Sequence, residues 1–119
     1  PHTESVRLLG IDTPEVAHHG RSAECFGPEA AQRTAALAPV GSIVRLDRDA
    51  EARDVYDRVL AYVTTADGRV VNLVLAAEGF ATPLAISPNY ALADTIAALS
   101  SAAASQGLGL WGACPAEER

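Results

Sequence analysis

Residues 7–15, RLLGIDTPE, bring a guanidinium and two carboxylates into nine positions. Arg7 lies in an apolar run that reads as a strand. Asp12 and Glu15 follow on a turn stiffened by Pro14, whose ring fixes φ. This set suits phosphodiester hydrolysis. A hard divalent cation takes oxygen ligands such as Asp12, and attack by water needs a general base such as Glu15. The charged five-coordinate phosphorus needs donors such as Arg7. The same residues also fit a purely structural pattern, because Asp12-x-x-Glu15 has the spacing of a capping box and Arg7 fits an ordinary surface ion pair.

A second constellation is DVYDR, residues 54–58, directly ahead of the strand-like run VLAYV. An arginine entering a strand beside Tyr56 can hold a phosphate through its planar fork, with the phenol as a further donor. The structural alternative is that Arg58 pairs with Asp54 or Asp57 inside a charged hairpin. His18 and His19 are neighbours whose side chains diverge, and no third ligand stands at zinc spacing. With His2, they read as solvated residues. Tyr62 and Trp111 read as packing.

These residues must be positioned by a small chain. Its 119 residues amount to one domain, 1–119. Hydrophobic residues make up 49% and charged residues 20%, which excludes a disordered chain. No apolar run reaches the roughly 18 residues of a membrane span, and the first residues show no basic-then-apolar leader. The nine cations are all arginines against fifteen acids, so the net charge is -6. Its summed field repels polyanions at long range, and phosphate chemistry must come from a few placed arginines.

The pattern predicts strands at 5–10, 42–47 and 59–65, the last turning at Asp67-Gly68 into 69–71. A helix is predicted from Gly27-Pro28-Glu29 to Leu37, stopped by Pro39 and Gly41. A second should run over 73–78, capped by Asn72 and ended by Gly79. A third should run over 90–105, with Leu92, Ile96, Leu99 and Ala103 on one face. Leu108, Leu110 and Trp111 should then return to the core. Residues 48–57 form a charged connection. The order gives an α+β domain with three helices and no internal repeat.

Taken in order, RLLGIDTPE, CFGPEA, DVYDRVLAYV, the ADGR–VVN–GFA stretch and the closing LGLW resemble the staphylococcal-nuclease-like (thermonuclease) family over nearly the whole chain. The resemblance implies an OB-fold β-barrel, five-stranded in the family, with appended helices. It also implies calcium-dependent phosphodiesterase action on DNA and RNA, and single-stranded DNA or RNA is the expected substrate. Arg7 and Arg58 match the family arginines that bind and stabilise the reacting phosphate. Asp12 matches a Ca2+ ligand and Thr13 a residue lending its backbone carbonyl to the ion. Glu15 matches the carboxylate that activates water, and Tyr56 the tyrosine that hydrogen-bonds a nucleotide phosphate. The alternative is a non-catalytic binding module on the same fold.

Departures from the family pattern add further expectations. The two strands that precede the Arg7 strand in the family, with a second calcium-ligand Asp between them, have no counterpart among the six residues before Arg7. The barrel is therefore expected to be N-terminally incomplete. The exposed strand edge should promote self-association, and these 119 residues alone should be nearly inactive. Asp57 stands where the family usually has Gly, and the basic loop residues near His18 are reduced to Arg21. Ala85 and Ile86 replace residues that offer aromatic rings to bases in some relatives. Cys25, just before the first helix, and Cys114, after the returning Trp111 segment, are expected to form a disulfide. Such a bond implies an exported, extracytoplasmic protein.

Overall fold

The computed structural model describes residues 2–84 and 89–119. The largest sheet is built on β1 (Val6–Leu8), β3 (Val44–Asp47) and β4 (Val59–Thr65), in the order β1-β4-β3. β1 runs parallel to β4 with Arg7 opposite Leu60, and β3 runs antiparallel to it with Leu46 opposite Val63. Leu60, Ala61, Tyr62 and Val63 are all buried, which fits a central strand covered on both faces. A second, two-stranded sheet joins β2 (Ile11–Asp12) to β5 (Thr82–Pro83). The described strands do not close a barrel, and β1 and β3 are the edges of the larger sheet. Val6, Ile43 and Leu46 are exposed apolar residues along those edges.

The first helix, α1, spans Gly27–Leu37, as Pro28 and Glu29 in the first turn and Pro39 beyond the end predict. The second, α2, spans Val71–Ala77, two residues earlier than expected. Asn72 therefore is not its cap. It is fully buried inside the helix and reaches across to the sheet. Its Oδ1 accepts from the Val63 N–H at 3.0 Å, while Nδ2 donates to the Leu9 and Ala61 carbonyls at 3.0 and 3.2 Å. One amide thus pairs the buried Val63 N–H and Leu9 carbonyl and adds a second donor to the Ala61 carbonyl, which also accepts from the Leu9 N–H. Residues 69–71 supply only a bridge between Thr64 and Val70 rather than a strand.

The third helix, α3, spans Ala93–Gln106 and starts three residues later than expected. The turn before it is fastened from elsewhere in the chain. The Asp49 carboxylate accepts from the Ala91 N–H at 2.8 Å and from the Tyr62 hydroxyl at 3.0 Å, fastening the charged connection to the turn before the helix. These donors, the Ala91 amide first, hold the Asp49 carboxyl below its ordinary range. Ile96 and Ala103 are buried and Leu92 and Leu99 pack against the core, as the spacing predicts. A fourth short helix, α4 (Leu110–Ala113), and a 3-10 turn at Ala116–Glu118 complete the chain. Leu110 is buried, whereas Leu108 is 38% exposed and does not return to the core. Gly79 and Gly109 make the docking of α4 feasible: a Cβ on Gly109 would lie 2.2 Å from the Gly79 carbonyl oxygen, to which the Leu110 N–H donates at 2.8 Å.

Candidate active site

Arg7, Asp12, Thr13, Glu15 and Arg58 line one cleft of about 350 Å³, floored by Leu8 and Ile11. The topology explains the convergence. Arg7 stands on β1, and the parallel register of Val6 with Val59 brings the residue just before β4, Arg58, to the same end of the sheet. Ile11 is fully buried and Asp12 is paired with Thr82, so β2 fixes the start of the turn. No helix follows Asp12, and the capping-box alternative is therefore not realised. Glu15 lies in irregular backbone with an exposed side chain. The cleft carries two guanidinium and two carboxylate groups, a balanced set inside an acidic protein.

Arg58 shows that the structural and functional alternatives are compatible. Its Nε donates to Asp54 Oδ2 at 2.7 Å, and the guanidinium nonetheless reaches the cleft. Asp54 Oδ1 also accepts from the backbone N–H groups of Tyr56 and Arg58, each at 2.9 Å. Burial alone would raise the Asp54 pKa; the hydrogen bonds from Arg58 and Tyr56 outweigh it and lower it. Asp54 thus sets both the loop and the arginine: of the two pairings open to Arg58 the Asp54 one is realised, and the backbone bonds from Tyr56 and Arg58 add to it. An Asp followed by backbone donors two and four residues later is the local signal for it.

Tyr56 is 77% exposed and stands outside the cleft, with the Arg58 Cζ 5.3 Å from its ring centroid. Asp57 has φ of +62°, the left-handed region where glycine is the usual residue and Asp is tolerated. Its carboxylate is drawn toward Arg53, 3.7 Å away. His18 is an exposed loop residue, as expected, with its Nε2 3.6 Å from the Glu15 carboxylate; its ring does not diverge from that of His19, the two centroids lying 5.2 Å apart edge to face. Ala85 and Ile86 lie outside the described residues.

A wider depression of about 640 Å³ shares Thr13 and Glu15 with the cleft but is lined on its far side by alanines of α1. The chemistry-bearing groups belong to the smaller cleft. Cys25 and Cys114, 89 residues apart, form a disulfide with a Cα–Cα distance of 5.9 Å.

For a divalent cation, the donor set is hard oxygen: the Asp12 carboxylate and the Thr13 carbonyl on adjacent residues, with Glu15 in the same cleft. Among the described residues no three His, Cys, Asp or Glu side chains gather as a cation site.

A family model described as staphylococcal nuclease homologue matches residues 5–113. Over 108 residues the chain is 34% identical to the thermonuclease of Staphylococcus intermedius, covering 91% of this chain and 63% of that protein. It is 33% identical over 93 residues to the thermonuclease of Staphylococcus hyicus, covering 78% of this chain and 54% of that protein. It is 32% identical over 111 residues to the SPbeta prophage-derived endonuclease YokF of Bacillus subtilis (strain 168), covering 92% and 37%. The chain spans less than two thirds of the length of each of these relatives. The order of its motifs, its α+β architecture and the family match across almost its whole length agree: the chain belongs to the staphylococcal nuclease homologue family.

Proposed function

We propose that the protein hydrolyses phosphodiester bonds of single-stranded DNA or RNA by attack of water. The observation that carries this reading is the convergence of Arg7, Asp12, Thr13, Glu15 and Arg58 on one cleft. A phosphate there meets two guanidinium groups, each able to present paired N–H donors to its oxygens. Glu15 takes the proton of the attacking water. The new bond is water oxygen to phosphorus, and the bond that breaks joins phosphorus to one ester oxygen, which leaves with the bonding electron pair and takes its proton from solvent water, while Glu15 returns its proton to solvent. Arg7 and Arg58 neutralise the charge that grows on the equatorial oxygens. Asp12 and the Thr13 carbonyl would hold Ca2+, which when bound supplies further positive charge at the phosphate. Tyr56, beside Arg58, serves as a donor to a neighbouring phosphate.

With the family's two preceding strands present, cleavage of a single-stranded oligonucleotide in millimolar calcium should be abolished by excess EDTA and restored by added calcium. Undiminished cleavage in EDTA would remove Asp12 and Thr13 from the mechanism. Binding of the oligonucleotide with no cleavage in calcium would favour the non-catalytic binding module instead.

Two further elements of the proposal concern the molecule's surroundings. The disulfide supports a secreted or extracytoplasmic location, where such bonds persist. The uncovered edges of β1 and β3 support self-association of these 119 residues, since an unpaired ladder recruits other strands. Light scattering behind size exclusion should therefore report species above the monomer mass. A single monomeric peak across the micromolar range would contradict this.

A further inference from the structure

We propose that Glu24 is a positioning residue for Glu15, an inference that rests on the nuclease reading of the cleft. Glu15 belongs to neither a helix nor a strand, and its side chain is exposed, so side-chain packing does not fix where its carboxylate stands. Its backbone is fixed instead. The Glu15 N–H donates to Glu24 Oε1 at 2.7 Å, and the Glu15 carbonyl accepts from the Glu24 N–H at 2.8 Å. One residue thus grips the other from both sides, with the carboxylate contact being the stronger, charge-assisted kind. The grip closes the intervening loop, which His18 and Arg21 cross-link by two reciprocal backbone bonds of 3.2 and 2.8 Å.

The clamp has a rigid mounting. Gly27, the first residue of α1, lies so close that a Cβ there would be 2.2 Å from the Glu15 carbonyl oxygen. Cys25, next to Glu24, is bonded covalently to Cys114, which is 4% exposed. Cys114 closes α4, whose first residue is tied to the Gly79 carbonyl. Glu15 is therefore connected through Glu24, the disulfide and α4 to the core at α2. A general base displaced by about 1 Å can lose on the order of a hundredfold in rate, so this mounting bears on catalysis although Glu24 itself does not line the cleft.

The test compares Glu24→Ala with Glu24→Gln, which keeps an acceptor oxygen. In metal-free protein, amide exchange followed by NMR should show the Glu15 N–H exchanging at least about tenfold faster in Glu24→Ala, with the Leu60 amide unchanged, and near wild type in Glu24→Gln. In calcium, Glu24→Ala should lower kcat by roughly ten- to a hundredfold with KM held, and Glu24→Gln should stay within about threefold of wild type. Equal Glu15 exchange in wild type and Glu24→Ala overturns the clamp. So does a kcat loss as large in Glu24→Gln as in Glu24→Ala. Cleavage that depends on Glu15 but is indifferent to Glu24→Ala overturns this inference while leaving the nuclease reading intact. No cleavage by the wild type with the family's two preceding strands present overturns that reading and the catalytic half of this one, and the exchange data still decide the clamp.

Discussion

Replacing Arg58 by Ala in a domain that includes the family's two preceding strands should lower kcat by about two to three powers of ten, the scale of removing one donor that acts on transition-state charge, and Arg7→Ala should do the same. The two positions differ in what else they hold. Arg7 makes only a long 3.4 Å contact to the adjacent Leu8 carbonyl, so its loss leaves the sheet register intact. Arg58 is also the Nε partner of Asp54, whose side chain is only 16% exposed. Arg58→Ala leaves that carboxylate two backbone donors, from residues 56 and 58, so the loop persists with a weaker hold. Arg58→Lys keeps the charge and loses the planar fork, and it should recover only part of the rate. Steady-state cleavage of a single-stranded oligonucleotide at saturating calcium provides the measurement. A change below threefold for both alanine variants would return these arginines to surface pairing.

The second large effect is on stability. The Cys25–Cys114 bond closes an 89-residue separation, and in the chain-entropy model such a loop contributes roughly 4 to 5 kcal/mol. That is a large share of the total for a domain of this size. Urea unfolding of the oxidised protein and of the protein in dithiothreitol should give midpoints separated accordingly. Coincident midpoints would contradict the estimate, and two titratable thiols in unreduced, denatured protein would contradict the bond itself.

Local signals were readable where the causes are local. The start of α1 follows from Pro28 and Glu29, and its end from Pro39. The strand β4 follows from a β-branched and aromatic run, and Gly79 ends α2 with a φ of +81°. Long-range pairing was not readable. Asn72 looks like a cap because its sequence neighbours suit one, but its partners are the backbone of Leu9, Ala61 and Val63 in other elements. The turn before α3 is fastened by Asp49, more than forty residues earlier, and the two-residue strands β2 and β5 carry no pattern of their own. The candidate site divides in the same way. Its principal residues lie in two short motifs, and the contacts of Asp54 and His18 are local to those motifs, whereas Glu24 gains its role only when the loop from Glu15 closes on itself.

In the proposed reaction Glu15 takes a proton from water attacking a phosphodiester in this cleft. Single-turnover cleavage by Glu15→Gln in saturating calcium, with the family's two preceding strands present, isolates that step, because Gln nearly preserves shape and removes the base. The rate should fall by at least about a hundredfold, the scale of general base catalysis, with oligonucleotide affinity within threefold of wild type. A Glu15→Gln rate within threefold of wild type would contradict it.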